Sequence, residues 1–167
     1  MDTARATSFG AWADEYDQWR PTYPDAAVDW LVPPDGGHVV EVGAGTGKLT
    51  DRRCVWNIAR LQHDWEWRAL RLDPALQPPV DADALDHLGL SIGRAEQSAF
   101  RWTWMLTPQQ WRGYVSTVSH VRLLPEGERR EVLDETEQLV ARACASTGDT
   151  TAPLTFDALC VRWYPTL

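Results

Sequence analysis

His38-Val39-Val40-Glu41-Val42-Gly43-Ala44-Gly45-Thr46-Gly47-Lys48-Leu49-Thr50 reads as a short buried strand, a glycine turn and the opening of a helix. Residues of strong strand preference surround the acid Glu41, and glycines follow at Gly43, Gly45 and Gly47. Such a turn lets the backbone fold closely around a ligand at the carboxyl end of a strand, while the helix start offers free N–H groups. Spacing narrows the ligand. A P-loop needs a glycine five residues before its Gly-Lys pair, and Ser or Thr after it. Val42 and Leu49 stand at those positions. The common dinucleotide pattern needs its third glycine where Lys48 stands. What remains is Glu-x-Gly-x-Gly-x-Gly behind a strand, with an acid able to answer a cationic or amino group.

The whole chain is 167 residues long, enough for one domain with a real core. It is 44% hydrophobic and 24% charged, ordinary for a globular protein. The net charge of -8 argues against nucleic acid as a partner, because phosphate binding needs a basic surface. Cys54, Cys144 and Cys160 are scattered and form no Cys-x-x-Cys pair, which favours a reducing, cytoplasmic setting over a disulfide framework or a zinc site. No apolar run approaches the ~18 residues of a membrane span, and the first ten residues lack the apolar core of a signal peptide. Ten tryptophans are the unusual feature; they suit a core, a cleft lining or a surface that meets a partner.

Upstream of the glycine turn, Phe9, Trp12, Ala13, Tyr16 and Trp19 recur at helical spacing, and Pro21 stops that helix. Pro24 and Asp25 start a second one, with Ala27, Val28, Trp30 and Leu31 available for burial. The first of these helices is amphipathic packing for most of its residues, while Tyr16, Arg20 and Tyr23 are candidates to cover the ligand site.

Ser8-Phe9-Gly10-Ala11, Asp14-x-Tyr16-Asp17, Arg20-Pro21-x-Tyr23-Pro24 and Glu41 through Thr50 together resemble the opening of a class I S-adenosylmethionine-dependent methyltransferase of the type 11 kind. The resemblance covers roughly the first third of the chain. It implies that Gly43, Ala44, Gly45 and Gly47 lie under the methionine and ribose parts of S-adenosylmethionine. It implies that Glu41 binds the methionyl amino group, and that Tyr16, Arg20 and Tyr23 close over the cofactor. Val55-Trp56-Asn57 then looks like the end of the family's fifth strand, Phe100 through Thr107 like its sixth, and Ala152 through Trp163 like its closing strand. The strands that carry the family's ribose and adenine acids have no counterpart. The resemblance therefore implies a methyltransferase that lacks an internal block between about Thr50 and Val55, several dozen residues of an architecture that usually exceeds ~200.

At that junction two local readings stand: one helix from Lys48 to Leu61, or a short strand from Cys54 to Ile58 beside the first. Asp64 and Glu66 fall near the ~20-residue distance of a ribose-binding acid. They lie, however, in Asp64-Trp65-Glu66-Trp67-Arg68-Ala69-Leu70, which reads as a helix start. His63, Asp64 and Glu66 match no strong metal pattern and read as a solvated helix N-terminus. Pro74, Pro78 and Pro79 mark a loop, and Asp83 to Leu90 a short helix. Phe100, Trp102, Trp104 and Leu106 alternate with Arg101, Thr103 and Met105, the strand period. Thr107-Pro108 starts a helix with Trp111, Tyr114, Val115 and Val118 on its apolar face. Pro125 to Ala145 is the clearest helix, with Val132, Leu133, Thr136, Leu139, Val140 and Ala143 inward. Leu154 to Trp163 is apolar on both faces, as an interior or closing strand requires. His87 and His120 are isolated, and no Gly-x-Ser-x-Gly elbow supports hydrolase chemistry.

The expected fold is α/β: a single domain over 1–167, with cap and cofactor motif in 1–50 and the family's C-terminal part in 51–167. Its Rossmann-like class I methyltransferase sheet is reduced to about four strands, near 38–42, 53–57, 97–106 and 154–163, the last two an antiparallel pair. The expected activity is methyl transfer from S-adenosylmethionine to a small-molecule acceptor, with no metal and no residue nameable as a general base. The alternative is a shortened, non-catalytic remnant. Exposed sheet edges and the tryptophans also admit a homodimer.

Overall fold

The computed structural model describes residues 13–32, 53–76 and 95–163. In chain order these form α1 (Ala13–Trp19), α2 (Asp25–Leu31), β1 (Arg53–Arg60), α3 (Asp64–Leu70), a 3-10 turn (Pro74–Leu76), β2 (Ala95–Leu106), α4 (Pro108–Ser116), α5 (Ser119–Arg122), α6 (Glu126–Thr147) and β3 (Ala152–Trp163). The first strand expected near 38–42, the glycine turn and the helix expected over Asp83 to Leu90 lie outside the described residues. The elements fall into two compact units.

The sheet unit holds α2 and a three-stranded sheet in the order β1-β3-β2. β1 runs antiparallel to β3, from Arg53 opposite Arg162 to Arg60 opposite Thr155. Contacts between β2 and β3 link Arg101 with Asp157, Trp102 with Phe156 and Thr103 with Thr155, so numbers rise on one strand as they fall on the other. The expected antiparallel pair of closing strands is present. β3 sits in the centre, which is why its sequence is apolar on both faces: Leu154, Phe156, Ala158 and Cys160 on one, Leu159 and Val161 on the other, are all buried. The junction around residue 55 resolves as strand, not helix. Eight residues are too few for periodicity to choose, and pairing with β3 supplies the choice. Its neighbour in the described sheet is the closing strand.

α2 lays Ala27 and Leu31 on Ala158 and Cys160, with Tyr23, Trp30, Val55, Phe100 and Trp102 packed around them. Trp102 stacks on Phe156 with ring centres 5.3 Å apart. Its indole N–H donates to Asn57 Oδ1 at 3.1 Å, reaching from one outer strand to the other over the small side chain of Ala158. Burial alone pushes the Cys160 thiol up to about 11.

The helical unit holds α1, α3, α4, α5 and α6. At its centre is Trp111, fully buried, with Trp65 edge-on at 5.3 Å and Tyr114 at 6.4 Å, its indole N–H donating to the Ala152 carbonyl at 3.3 Å. α4 begins where Thr107-Pro108 predicts it: Thr107 Oγ1 accepts from the Gln110 amide at 3.2 Å, and Gln110 Oε1 accepts from the Thr107 amide at 2.9 Å. α4 stops at Ser116, so Val118 lies beyond it and is half-buried. α6 buries Val132, Leu133, Thr136, Leu139, Val140 and Cys144, while Ala143 is only half-buried. The Thr136 hydroxyl lies 3.0 Å from the Ala69 carbonyl and 2.9 Å from that of Val132, one donor shared between two helices. Gly148 ends α6 at φ 79°, a left-handed position that glycine takes without strain. Among the described residues no helix is long and apolar enough to cross a membrane.

Candidate functional site

Of the residues expected to hold a cofactor, Glu41, Gly43, Ala44, Gly45 and Gly47 lie outside the described residues. Tyr16 and Arg20 belong to the helical unit, and Tyr23 to the sheet unit.

Tyr16 and Arg20 are brought together because four residues make one helical turn, and the Arg20 amide bonds the Tyr16 carbonyl at 3.0 Å. The Arg20 guanidinium lies over the Tyr16 ring at 5.0 Å and over the Tyr114 ring at 5.4 Å, and it donates to the Thr117 carbonyl at 3.0 Å. Burial pushes the Tyr114 phenol up, against the opposing pull of the Arg20 charge. Two tyrosine rings of this kind suit a cation, and here Arg20 supplies one from within the chain. Tyr23 donates its hydroxyl to the Val55 carbonyl at 3.4 Å and packs on the core beneath α2. All three side chains thus hold internal partners in their own units.

α1 has further ties to its unit. Glu15 accepts from Arg122 at 2.9 Å and from Ser116 Oγ at 3.0 Å. Burial pushes Glu15 up, but the bonds from Arg122 and Ser116 outweigh it and leave the carboxyl below the ordinary range. The Trp19 indole covers Gly113 so closely that an added Cβ would meet its Cδ2 at 2.3 Å.

Two carboxylates are more buried than their sequence settings suggest. Asp157, 4% exposed in the central strand, faces Arg60 Nε at 2.6 Å and Arg101 Nε at 2.8 Å, one from each outer strand. The Arg101 hydrogen bond, then that of Arg60, holds its carboxyl below the ordinary range against the push of burial. One signal was available: a lone acid inside the buried run Leu154 to Val161 must find a charged partner. Glu66 corrects the reading of a solvated helix N-terminus. His63 and Asp64 are exposed, but Glu66 is 2% exposed and one of its oxygens accepts from the amides of both Gln62 and His63. It is the carboxylate half of a capping box, placed three residues into the helix.

An open cavity of about 490 Å³ in the helical unit is lined by Arg71, His120, Val121, Leu124, Glu128 and Glu131, among others. His120 Nε2 donates to the Leu70 carbonyl at 2.8 Å, capping the end of α3, and Arg71 pairs with Glu135. These are framework contacts, with no nucleophile–base pair among them. Among the described residues no three His, Cys, Asp or Glu gather as metal ligands.

No family model and no solved structure matches the chain. Over 45 residues it is 51% identical to proteins named uncharacterized methyltransferase from Mycobacterium bovis (strain ATCC BAA-935 / AF2122/97) and from Mycobacterium tuberculosis (strains CDC 1551 / Oshkosh and ATCC 25618 / H37Rv). The matched stretch is 27% of this chain and 18% of each relative, so the chain spans less than a fifth of the length of the curated relatives it matches.

Proposed function

We propose that the chain belongs to the class I, type 11 methyltransferases and transfers a methyl group from S-adenosylmethionine to a small molecule. The observation that carries this reading is the 51% identity over 45 residues to proteins named methyltransferases. The pattern Glu41-x-Gly43-x-Gly45-x-Gly47 supports it chemically: an acid to answer an ammonium group, and glycines that admit a ligand close to the backbone. The cofactor, once bound, supplies an electrophilic methyl on a sulfonium; the chain's part is to align an acceptor with it. Glu41, Gly43, Ala44, Gly45 and Gly47 hold the methionine end, and Tyr16, Arg20 and Tyr23 border the site. The fold of this reading is a reduced Rossmann-like one, and its setting the cytoplasm. Calorimetry with S-adenosylmethionine tests it: micromolar binding that disappears in Gly45→Arg is the expected result.

A specific observation favours a second reading, a non-catalytic remnant. Val55-Trp56-Asn57 follows the glycine turn almost at once, which leaves no room in the sequence for the strands whose acids hold ribose and adenine in the family it resembles. No heat at millimolar cofactor would establish the remnant. Pairing of two copies through sheet edges is a separate proposal; light scattering that returns a clean monomer removes it.

A further inference from the structure

We propose that Arg122 is a positioning residue: it latches α1, and with it Tyr16 and Arg20, onto α4, α5 and the turn between them. The bearing of this latch on cofactor rests on the function proposed above; the latch itself does not. α1 has seven residues and buries none of them fully. A helix of two turns does not persist alone, so tertiary contacts must hold it. Those contacts converge on residues 113–122. Glu15 takes the Arg122 guanidinium at 2.9 Å and the Ser116 hydroxyl at 3.0 Å. Trp19 fills the notch that Gly113 leaves open. Arg20 reaches the Thr117 carbonyl at 3.0 Å and the Tyr114 ring. Arg122 is itself fixed by donating to the Ser116 carbonyl at 3.3 Å, and its side chain is only 19% exposed. The pair is sheltered at its Arg122 end, while the Glu15 side chain is 37% exposed, so it acts as a charge-assisted bond partly screened by solvent. Residues 113–122 thus set where both candidate cap residues stand.

Hydrogen exchange on the cofactor-free chain tests the latch. In Arg122→Ala, amides of residues 16–20 should exchange about fivefold or more faster, while those inside Glu126–Thr147 keep their rates. The charge swap Glu15→Arg with Arg122→Glu should restore most of the protection. Gly113→Ala is the second variant: alanine favours its own helix, yet its Cβ displaces Trp19, so the same amides should quicken. Unchanged exchange at 16–20, a uniform rise across both helices, or a swap no better than the single variant would overturn the latch. Where the wild type binds S-adenosylmethionine, Arg122→Ala should weaken it by about fivefold. Unaltered affinity beside quickened exchange would sever the latch from the cofactor, and a wild type without binding would sink the proposed function while the exchange result still judges the latch.

Discussion

In the helical unit the buried carboxylate Glu66 is satisfied by main-chain amides just ahead of its own helix, three and four residues away. In the sheet unit Asp157 depends on guanidiniums that lie 97 and 56 positions distant in the chain, on two other strands. The first arrangement is complete as soon as one turn of helix forms. The second exists only when all three strands are in place and in register. A one-residue slip of β1 would carry Arg60 to the other face of the sheet and leave Asp157 with half its partners. Burying a charge therefore costs the helical unit nothing in topology, whereas in the sheet unit it checks the strand order.

Four substitutions break or sharpen that contrast. The largest effect belongs to neither carboxylate. Trp111→Ala should cost about 3–5 kcal/mol in chemical denaturation, because the helical unit rests on aromatic packing around a fully buried indole. Asp157→Asn comes next, at about 1–2 kcal/mol, held down by the exposure of Arg101. Its pH signature is specific. A carboxyl with a lowered folded pKa stabilises fully above its unfolded value, and that stabilisation is lost as pH falls through the folded value. Melts at neutral and at strongly acid pH should thus differ more for the wild type than for Asp157→Asn. Glu66→Gln should cost only about 0.5–1 kcal/mol, since a single carbonyl oxygen can replace the one that takes both amides. A calorimetric loss as large as that of Asp157→Asn would abolish the distinction between local and tertiary satisfaction. Smallest is Glu126→Ala. Its partner Arg130 sits one turn on at 3.4 Å, both ends are exposed, and stability should move by less than about 0.5 kcal/mol.

The elements that were legible in the sequence are those whose signal is local. Phe100, Trp102, Trp104 and Leu106 announced β2 by alternation, and Met105 among the outward positions is 51% exposed. Thr107-Pro108 announced α4, and the heptad-like spacing from Val132 to Val140 announced α6. Apolar residues on both faces marked β3 as an interior or closing strand, and the sheet order places it in the centre. What stayed illegible depends on distant pairing. The strand over Arg53–Arg60 is too short to betray its period, and β3 decides it. The partners of Glu66 are local, but its burial emerges only when α3 is packed in its unit. For the candidate site, sequence named Tyr16, Arg20 and Tyr23, but not the contacts that engage them: the Tyr114 ring, the Thr117 carbonyl and the Val55 carbonyl. Those partners lie 94, 97 and 32 residues away, beyond any spacing rule.

The buried cysteines give each unit its own clock. Cys144 is 5% exposed in the helical unit and Cys160 fully enclosed in the sheet unit, and burial raises the pKa of both thiols, to about 11 for Cys160. Alkylating reagents attack the thiolate, which at neutral pH is then roughly one part in 10,000 for Cys160. Modification of that thiol must await opening of the sheet around it. Mass spectrometry of peptides carrying each cysteine would consequently record, in a single experiment and without any engineered label, how often each half of the molecule comes apart.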